Sequence, residues 1–377
     1  MREIRSPLDG ILSPFAARAG VTAFSPSSLF ASGEDGAWYD PSDTTSLYQA
    51  RNGGDYADID GDVVGIMLDK SQMGSSNAAA FIAAQPELVT NGTFDTDTDW
   101  TKGGSATISA GVANFTGTAD EIYQQPGFND SLYHSLTFTA TGTGTMYFRL
   151  GEIAVNVDFI SASGTYTFVI KPTSNAGYIV FRSFGFVGTI DNVSVKEIPG
   201  NHAIAPSDAA RSLYKTAGGL HWLEFDGVDD YWEASVSGLG ATSASATAFE
   251  AVDTVGVIHA GDTSGKYYDI YQDGSTSTSL RSGAGSPTSR VNGAAYSGTT
   301  RDDLHTAVAG GSPVILTYES LDLSSWTKFG FGNYEQYSVG RSVEGDMYGC
   351  VLLDRALTTD ERSDLEAYLA AKSGVTL

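Results

Sequence analysis

Between residues 85 and 198 apolar and polar positions alternate in short runs. Ile108, Ala110 and Val112 interleave with Thr107, Ser109 and Gly111, and the runs LTFTATG, TMYFRLG, AVNVDFI, GTYTFVIKP, GYIVFRS and GTIDNVSVKEI follow. Period-two alternation marks a strand with one buried face, and each run is bounded by Gly, Asn, Asp or Pro. About eight such strands in roughly 110 residues predict a complete β-sandwich over 86–198. The flanks, 26–85 and 199–377, predict two or three strands and a longer strand series, and neither looks complete alone.

One stretch carries a helical period. Thr358 and Glu361 fit a capping box, Asp360 lies in the first turn, Leu365, Tyr368 and Leu369 make an apolar face, and Lys372 and Gly374 close the segment. Residues 1–25 show neither period, because Pro7, Pro14 and several Gly or Ser positions interrupt them. They read either as a disordered terminus or as a docking arm that buries Ile4, Leu8, Ile11, Leu12 and Phe15 against a partner.

Composition sharpens the class. The 44 Gly, 19 Tyr and 18 Phe suit short strands and tight turns rather than helices. With 377 residues the chain exceeds what one core usually organises, so two domains are expected. The formal charge of −24 repels phosphate backbones and argues against nucleic acid as a partner. Cys350, the single cysteine, excludes an internal disulfide and reads as a small buried hydrophobe. No apolar run near the N-terminus reads as a signal peptide, and no stretch reads as a membrane span. Composition thus points outside the cell while no export signal is read, a tension that a phage structural protein released by lysis removes.

Three flanking stretches carry a family resemblance: LFASGEDGAWYDPSDTTSLYQ (29–49), LEFDGVDDYWE (223–233) and GCVLLDRALTTDERSDLEAYLAAKSGVTL (349–377). They resemble the laminin-G-like, concanavalin-type jelly roll of many phage virion proteins. In that family D-K-S stands a few residues before G-N-H-A. Here Asp69-Lys70-Ser71 is separated from Gly200-Asn201-His202-Ala203 by the whole block of alternating strands. The interrupted motif implies an insertion into one surface loop. The block itself, with NGTFDTDTDW at its start and IDNVSV at its end, resembles the galactose-binding-like sandwich of carbohydrate-binding modules. The expected fold is all-β: a discontinuous jelly roll (26–85 and 199–377), a nested galactose-binding-like sandwich (86–198), an N-terminal arm (1–25) and one C-terminal helix.

The resemblance implies one structural Ca²⁺ held by Asp191 and by oxygens around Asn91 to Phe94, and no other cofactor. For sugar binding, Trp100, Tyr123 and Tyr147 are the candidate stacking residues of the insert, each of which could equally be core. Trp38, Tyr39, Asp40 and Trp232 match core positions of the jelly-roll family. Concanavalin-type glycosidases carry E-x-D-x-x-E on one strand, whereas Glu224-Phe225-Asp226-Gly227-Val228-Asp229-Asp230 lacks the last Glu and is broken by Gly227. Retaining hydrolysis needs carboxyl groups ~5 Å apart, so this run reads as a turn whose Asp side chains bond the local backbone. His134, His202, His221, His259 and His305 sit in no catalytic or zinc context and read as surface or loop residues.

These readings converge on a non-catalytic virion fibre or spike protein, on the tail or the head. It would be a homo-oligomer, attached to other virion proteins through its N-terminal arm and directed at host-surface polysaccharide, with no membrane insertion. A secreted bacterial lectin or adhesin is the alternative, and a glycoside hydrolase a more distant one.

Overall fold

The computed structural model describes residues 24–151, 157–160, 163–172, 177–236, 238–262, 265–276, 281–332 and 342–377, without the side chains of 157–160. The proposed docking residues Ile4, Leu8, Ile11, Leu12 and Phe15 lie outside the described residues. The chain is all-β, built of antiparallel sheets with three α-helices among the described residues.

One sheet runs in the order Leu213–Ala217, Leu220–Asp226, Glu344–Leu353, Ser243–Ala251, Val314–Leu321, Thr288–Val291, Ala294–Tyr296, and Gly36–Tyr39 also pairs with Glu344–Leu353. Its inner face packs an aromatic core that includes Tyr39, Tyr214, Trp232, Phe249, Tyr268, Tyr318 and Phe331. Cys350 is buried there, as expected of a small hydrophobe, and burial pushes its thiol up to about 12. The outer face receives the helix Thr359–Ser373. Ala244, Ala246 and Ala248 present only methyl groups to that side, so Leu365 and Leu369 can settle close to the strands. The helix is capped as its sequence predicts, with the reciprocal Thr358–Glu361 box at one end and left-handed Gly374 at the other. Lys372 in its last turn reaches Asp40.

Two further helices were not apparent in the sequence. Ala78–Ala84 has only seven residues and no amphipathic period; Asn77 caps it, and its first backbone N–H groups donate to Asp43 Oδ2 and Thr45 Oγ1. Arg301–Val308 is started by a Thr300–Asp303 capping box, in which Asp holds the position more often given to Glu.

A second, long sheet crosses between two cores. It runs His259–Gly261, Lys328–Phe331, Trp232–Ser235, Ala203–Ile204, Ile66–Met67, Leu47–Ala50, Gly53–Tyr56, and continues into Gly164–Ile170, Tyr133–Thr143, Val187–Ile198, Val112–Phe115 and Thr107–Ser109. The strands from Gly164 onward cover a core whose buried members all fall between Val89 and Val195, rich in Phe. A five-stranded sheet closes that core from the other side, in the order Val157–Ile160, Met146–Leu150, Ile179–Ser183, Glu121–Gln124, Thr101–Gly103. The crossing point is narrow: Phe168 pairs with Gly53, and Val169 N donates to Asn52 O at 2.8 Å. Gly53 has φ +105, and a Cβ there would stand 2.5 Å from Val169 N, so only glycine lets these strands meet. Val169 and Ile198 are buried beside Tyr48, Ile66, Leu68, Ala78 and Ile82, which forms a small apolar joint.

The two halves of the interrupted motif meet beside that joint. Met67 pairs with Ala203 and Ile66 with Ile204. Asp69, fully buried, accepts from Trp38 N (2.8 Å), Ser71 N (2.8 Å), Ser71 Oγ (2.9 Å) and Asn201 N (2.7 Å). Its own N–H donates to His202 Nδ1 at 3.0 Å. Because that nitrogen accepts, the proton sits on Nε2, which faces Ile198 O at 3.2 Å. Gly200 has φ +127, and a Cβ would come 2.9 Å from Asp69 Oδ2.

The nesting generates a prediction. Residues 86–198 expressed alone are expected to unfold cooperatively in denaturant. The remainder, with Gln85 joined to Pro199 by a short Gly-Ser linker, should also unfold cooperatively but at lower denaturant, having lost the Gly53–Phe168 pairing and the cover of Val169 and Ile198. Keeping Ala78–Ala84 in the remainder matters because Ala78 and Ile82 belong to the joint. Non-cooperative unfolding of both pieces would show that the nesting is wrong.

Candidate functional site

Each strand of the five-stranded sheet turns alternate side chains to opposite faces. Ile122, Met146, Phe148, Leu150, Ile179 and Phe181 enter the Phe-rich core. Their neighbours Glu121, Tyr123, Tyr147, Arg149, Val180 and Arg182 therefore share the outer face. Register arranges these in two rows: Arg149, Val180, Tyr123 and Thr101 in one, Tyr147, Arg182, Glu121 and Gly103 in the other. Tyr178 stands edge-on to Tyr123 with ring centres 5.7 Å apart. Around this pair lies a depression of 260 Å³ lined by Glu121, Tyr123, Arg149, Tyr178 and Val180. At its margin Phe184, 53% exposed, meets Tyr147 edge-on at 5.6 Å, and the Arg182 guanidinium lies 5.9 Å over the Phe184 ring. The face thus offers aromatic rings, two guanidinium groups and one carboxylate, the combination that recognises a hydroxylated ring by stacking and hydrogen bonding.

Tyr123 and Tyr147 both lie on this face, although the Tyr147 ring is largely covered and the exposed ring beside it is Phe184. Trp100 does not belong to it. Its ring is buried against Phe94 and Phe181, and Nε1 donates to Asn91 O at 3.1 Å, so it anchors the core. Glu121, Arg149, Tyr178, Arg182 and Phe184 went unrecognised in the sequence. The alternation in EIYQ, MYFRL and IVFRS, continued to Tyr178 and Phe184 on either side of the last run, places these side chains opposite the Phe core, but only strand order brings the three runs together.

The calcium ligands expected at Asn91 and Asp191 do not assemble. The Asn91 side chain closes its own loop, donating to Thr96 O and Thr98 O. Asn91 O accepts from Trp100, Gly92 O accepts from Val193 N, and both carboxylate oxygens of Asp191 are engaged by Asn192. A hard cation needs six or more converging oxygens, and the residues here do not fit one.

The histidines also depart from expectation. His134, His202 and His259 are buried rather than at the surface. His259 bonds Asp269 through both its backbone N–H and Nδ1, and its Nε2 meets Thr247 Oγ1 at 3.0 Å. The three residues resemble a nucleophile–base–acid arrangement, yet all three are fully buried, Thr247 Oγ1 included, beneath the aromatic core. The acidic run after Glu224 forms the turn expected of it: Gly227 has φ +74, Asp226 Oδ1 accepts from Val228 N and Asp229 N, and Asp230 Oδ2 accepts from Asp226 N.

A carboxylate row that the sequence did not reveal crosses the outer face of the helix-bearing sheet. Glu224 pairs with Asp346, and Asp346 with Glu250, on three adjacent strands. Burial, then Glu250 and Glu224, push Asp346 up to about 7.

No family model matches the chain, and no curated protein does. Among solved structures it is similar to the N-terminal CBM22-1–CBM22-2 tandem domain of Paenibacillus barcinonensis Xyn10C, at 8% identity and a TM-score of 0.28, over 73% of this chain and 98% of that one. It is also similar to the tandem CBM51 modules of Sp3GH98, the family 98 glycoside hydrolase from Streptococcus pneumoniae SP3-BS71, at 8% identity and a TM-score of 0.18, over 79% and 97%.

The Asp346 row generates a pH prediction. An acid whose folded value lies above its unfolded value of ~3.9 is favourable when protonated, and stability falls as pH rises from the unfolded value through the folded one. Asp346→Asn removes that loss. The variant is expected to melt at least about 2 °C above the parent at pH 8, the scale of ~1 kcal/mol in a domain of this size, after allowance for screening at a partly exposed face. The gain should shrink as pH is lowered toward 5.5. Equal midpoints at pH 8 would show that the row carries no repulsion.

Proposed function

We propose that this chain is a non-catalytic glycan-attachment protein, a fibre or spike component of a phage particle that presents its five-stranded face to host-surface polysaccharide. The observation that carries this reading is the outer face of that sheet. Tyr123 and Tyr178 flank a depression bordered by Arg149 and Glu121, with Phe184 and Arg182 extending the surface along the sheet. Aromatic rings supply stacking area at low entropic cost, while the guanidinium and carboxylate groups order the hydroxyls of a bound sugar. The charge of −24 keeps nucleic acid away from the chain and favours a neutral glycan over an extended polyanion. The stretches 29–49, 223–233 and 349–377, which resemble the jelly roll of phage virion proteins, support assignment to a particle. Attachment through residues 1–25 and homo-oligomeric assembly belong to the same proposal.

Hydrolysis is the second reading, and one observation favours it. Glu224, Asp346 and Glu250 stand in register on neighbouring strands, where facing side chains are ~5 Å apart, and Asp346 is raised to about 7. Reducing-end release from host glycan that disappeared in Asp346→Asn would establish an enzyme. The attachment reading expects no release.

The direct test is a screen of the full chain against an array of bacterial surface glycans, followed by titration of the best ligand. Tyr123→Ala is expected to weaken binding at least tenfold, or ~1.4 kcal/mol, with the thermal midpoint held within about 2 °C. Antibody against the chain should label purified particles and block their adsorption to cells. Undiminished glycan affinity in Tyr123→Ala would contradict the assignment of this face.

A further inference from the structure

A cleft of 640 Å³ opens where the two sandwiches meet, far larger than the depression beside Tyr123 and within the ~300–1,000 Å³ usual for small-ligand sites. Ser131, Tyr133 and Lys171 line it from the Phe-rich sandwich; Asn201, His202, Glu233 and Lys328 are among those that line it from the other.

Its chemistry differs from that of the chain at large. The charged side chains lining it are Lys171, Lys328 and Glu233, a formal +1 in a chain of −24. His202 adds nothing to that sum, because burial drops it to about 4 and leaves the ring neutral. Lys328 is already committed, its Nζ standing 2.6 Å from Glu233 Oε2. Lys171 is not: it is exposed, makes no ion pair among the described residues, and holds its ammonium 5.9 Å over the Tyr133 ring. On the opposite wall Glu233 Oε1 is buried and has no hydrogen-bond partner among the described residues. A buried acceptor without a donor is costly, and a small rotation of the Glu233 side chain toward the cleft that it lines would let a ligand hydroxyl satisfy it.

We propose that this cleft binds a single uronic-acid unit, with its carboxylate on Lys171, its ring against Tyr133 and one hydroxyl donating to Glu233 Oε1. A cation beside an aromatic face selects an anionic ring over a neutral one. The orphaned acceptor requires that ring to carry hydroxyl donors, which a simple inorganic anion lacks. The field of the whole chain repels a run of negative charges, so the unit is a free sugar acid or the end of an otherwise neutral glycan. This site is independent of the five-stranded face.

The experiment uses the full chain with D-glucuronate, D-glucose and a neutral trisaccharide ending in glucuronate, read by saturation-transfer NMR and titration calorimetry. Glucuronate is expected to bind at least tenfold more tightly than glucose. Lys171→Glu should reduce glucuronate affinity at least tenfold and Lys171→Gln by less, both without a change in thermal midpoint because the side chain is exposed. Tyr123→Ala should leave glucuronate affinity unchanged, which separates this site from the glycan face. Equal affinities for glucuronate and the trisaccharide identify a free acid as the ligand, and a tighter trisaccharide identifies a chain end. Glucose binding as tightly as glucuronate, an unaffected Lys171→Glu, or no signal at roughly 10 mM glucuronate, where millimolar binding is detected, would overturn the proposal.

Discussion

The buried carboxylate of Asp69 is the constraint on which the architecture depends. Removing an ion from water costs several kcal/mol even after relaxation, and burial accordingly raises this group's pKa. Four donors compensate, and they come from three separate segments: the opening strand at Trp38, the turn at Ser71, and the return of the chain at Asn201. Around them Tyr39 Oη donates to Asn201 O, and Asn201 Nδ2 donates to Gly36 O at 2.7 Å. One side chain thus fixes where the chain leaves the helix-bearing sandwich and where it comes back. Lys70 strengthens the same corner by pairing with Asp43 at 2.7 Å and lying over the Trp38 ring.

That corner explains how Asp69 and its partner Asn201 can stand 132 positions apart in sequence without disturbing the strands on either side. Ile66–Met67 and Ala203–Ile204 pair as if they were neighbours in sequence, and the long sheet continues past them into the second core. The Gly53–Phe168 contact and the joint of Val169 and Ile198 then hold the sandwiches together along one edge. The cleft with Lys171 and Glu233 opens beside that edge, lined by both sandwiches. The outer face of the five-stranded sheet, the proposed glycan surface, belongs wholly to the Phe-rich sandwich and draws nothing from the joint.

Much of this was legible in the residues. The separated D-K-S and G-N-H-A segments identified the two sides of the Asp69 corner, the alternation located the strands, and the Thr358 box with Gly374 delimited the helix. The losses share a cause. In the sequence Trp100 reads as a candidate stacking residue because an aromatic residue carries no mark of the face it occupies. The outer face and the Glu224–Asp346–Glu250 row join residues distant in sequence through strand order, which alternation does not encode. The buried histidines depart from their surface reading because tertiary pairing supplies their partners: Asp69 N–H reaches His202 across the insertion, and the neighbouring strand at Thr247 and the loop at Asp269 meet His259. Asp191 keeps its motif, but the Asn192 backbone N–H and side-chain amide already engage the two oxygens that a cation would need.

Hydrogen exchange of Asp69→Ala, followed by mass spectrometry, tests the account most directly. The substitution leaves the N–H groups of Trp38, Ser71 and Asn201 without their acceptor, at a cost of ~1–3 kcal/mol for each left unsatisfied. Protection is expected to fall in 36–39, 66–71 and 200–204 and to weaken across Glu344–Leu353, while Tyr133–Leu150 and Ile179–Ser183 exchange as in the parent. Unchanged protection at 200–204, or an equal loss in both sandwiches, would contradict the claim that one buried carboxylate closes the insertion point.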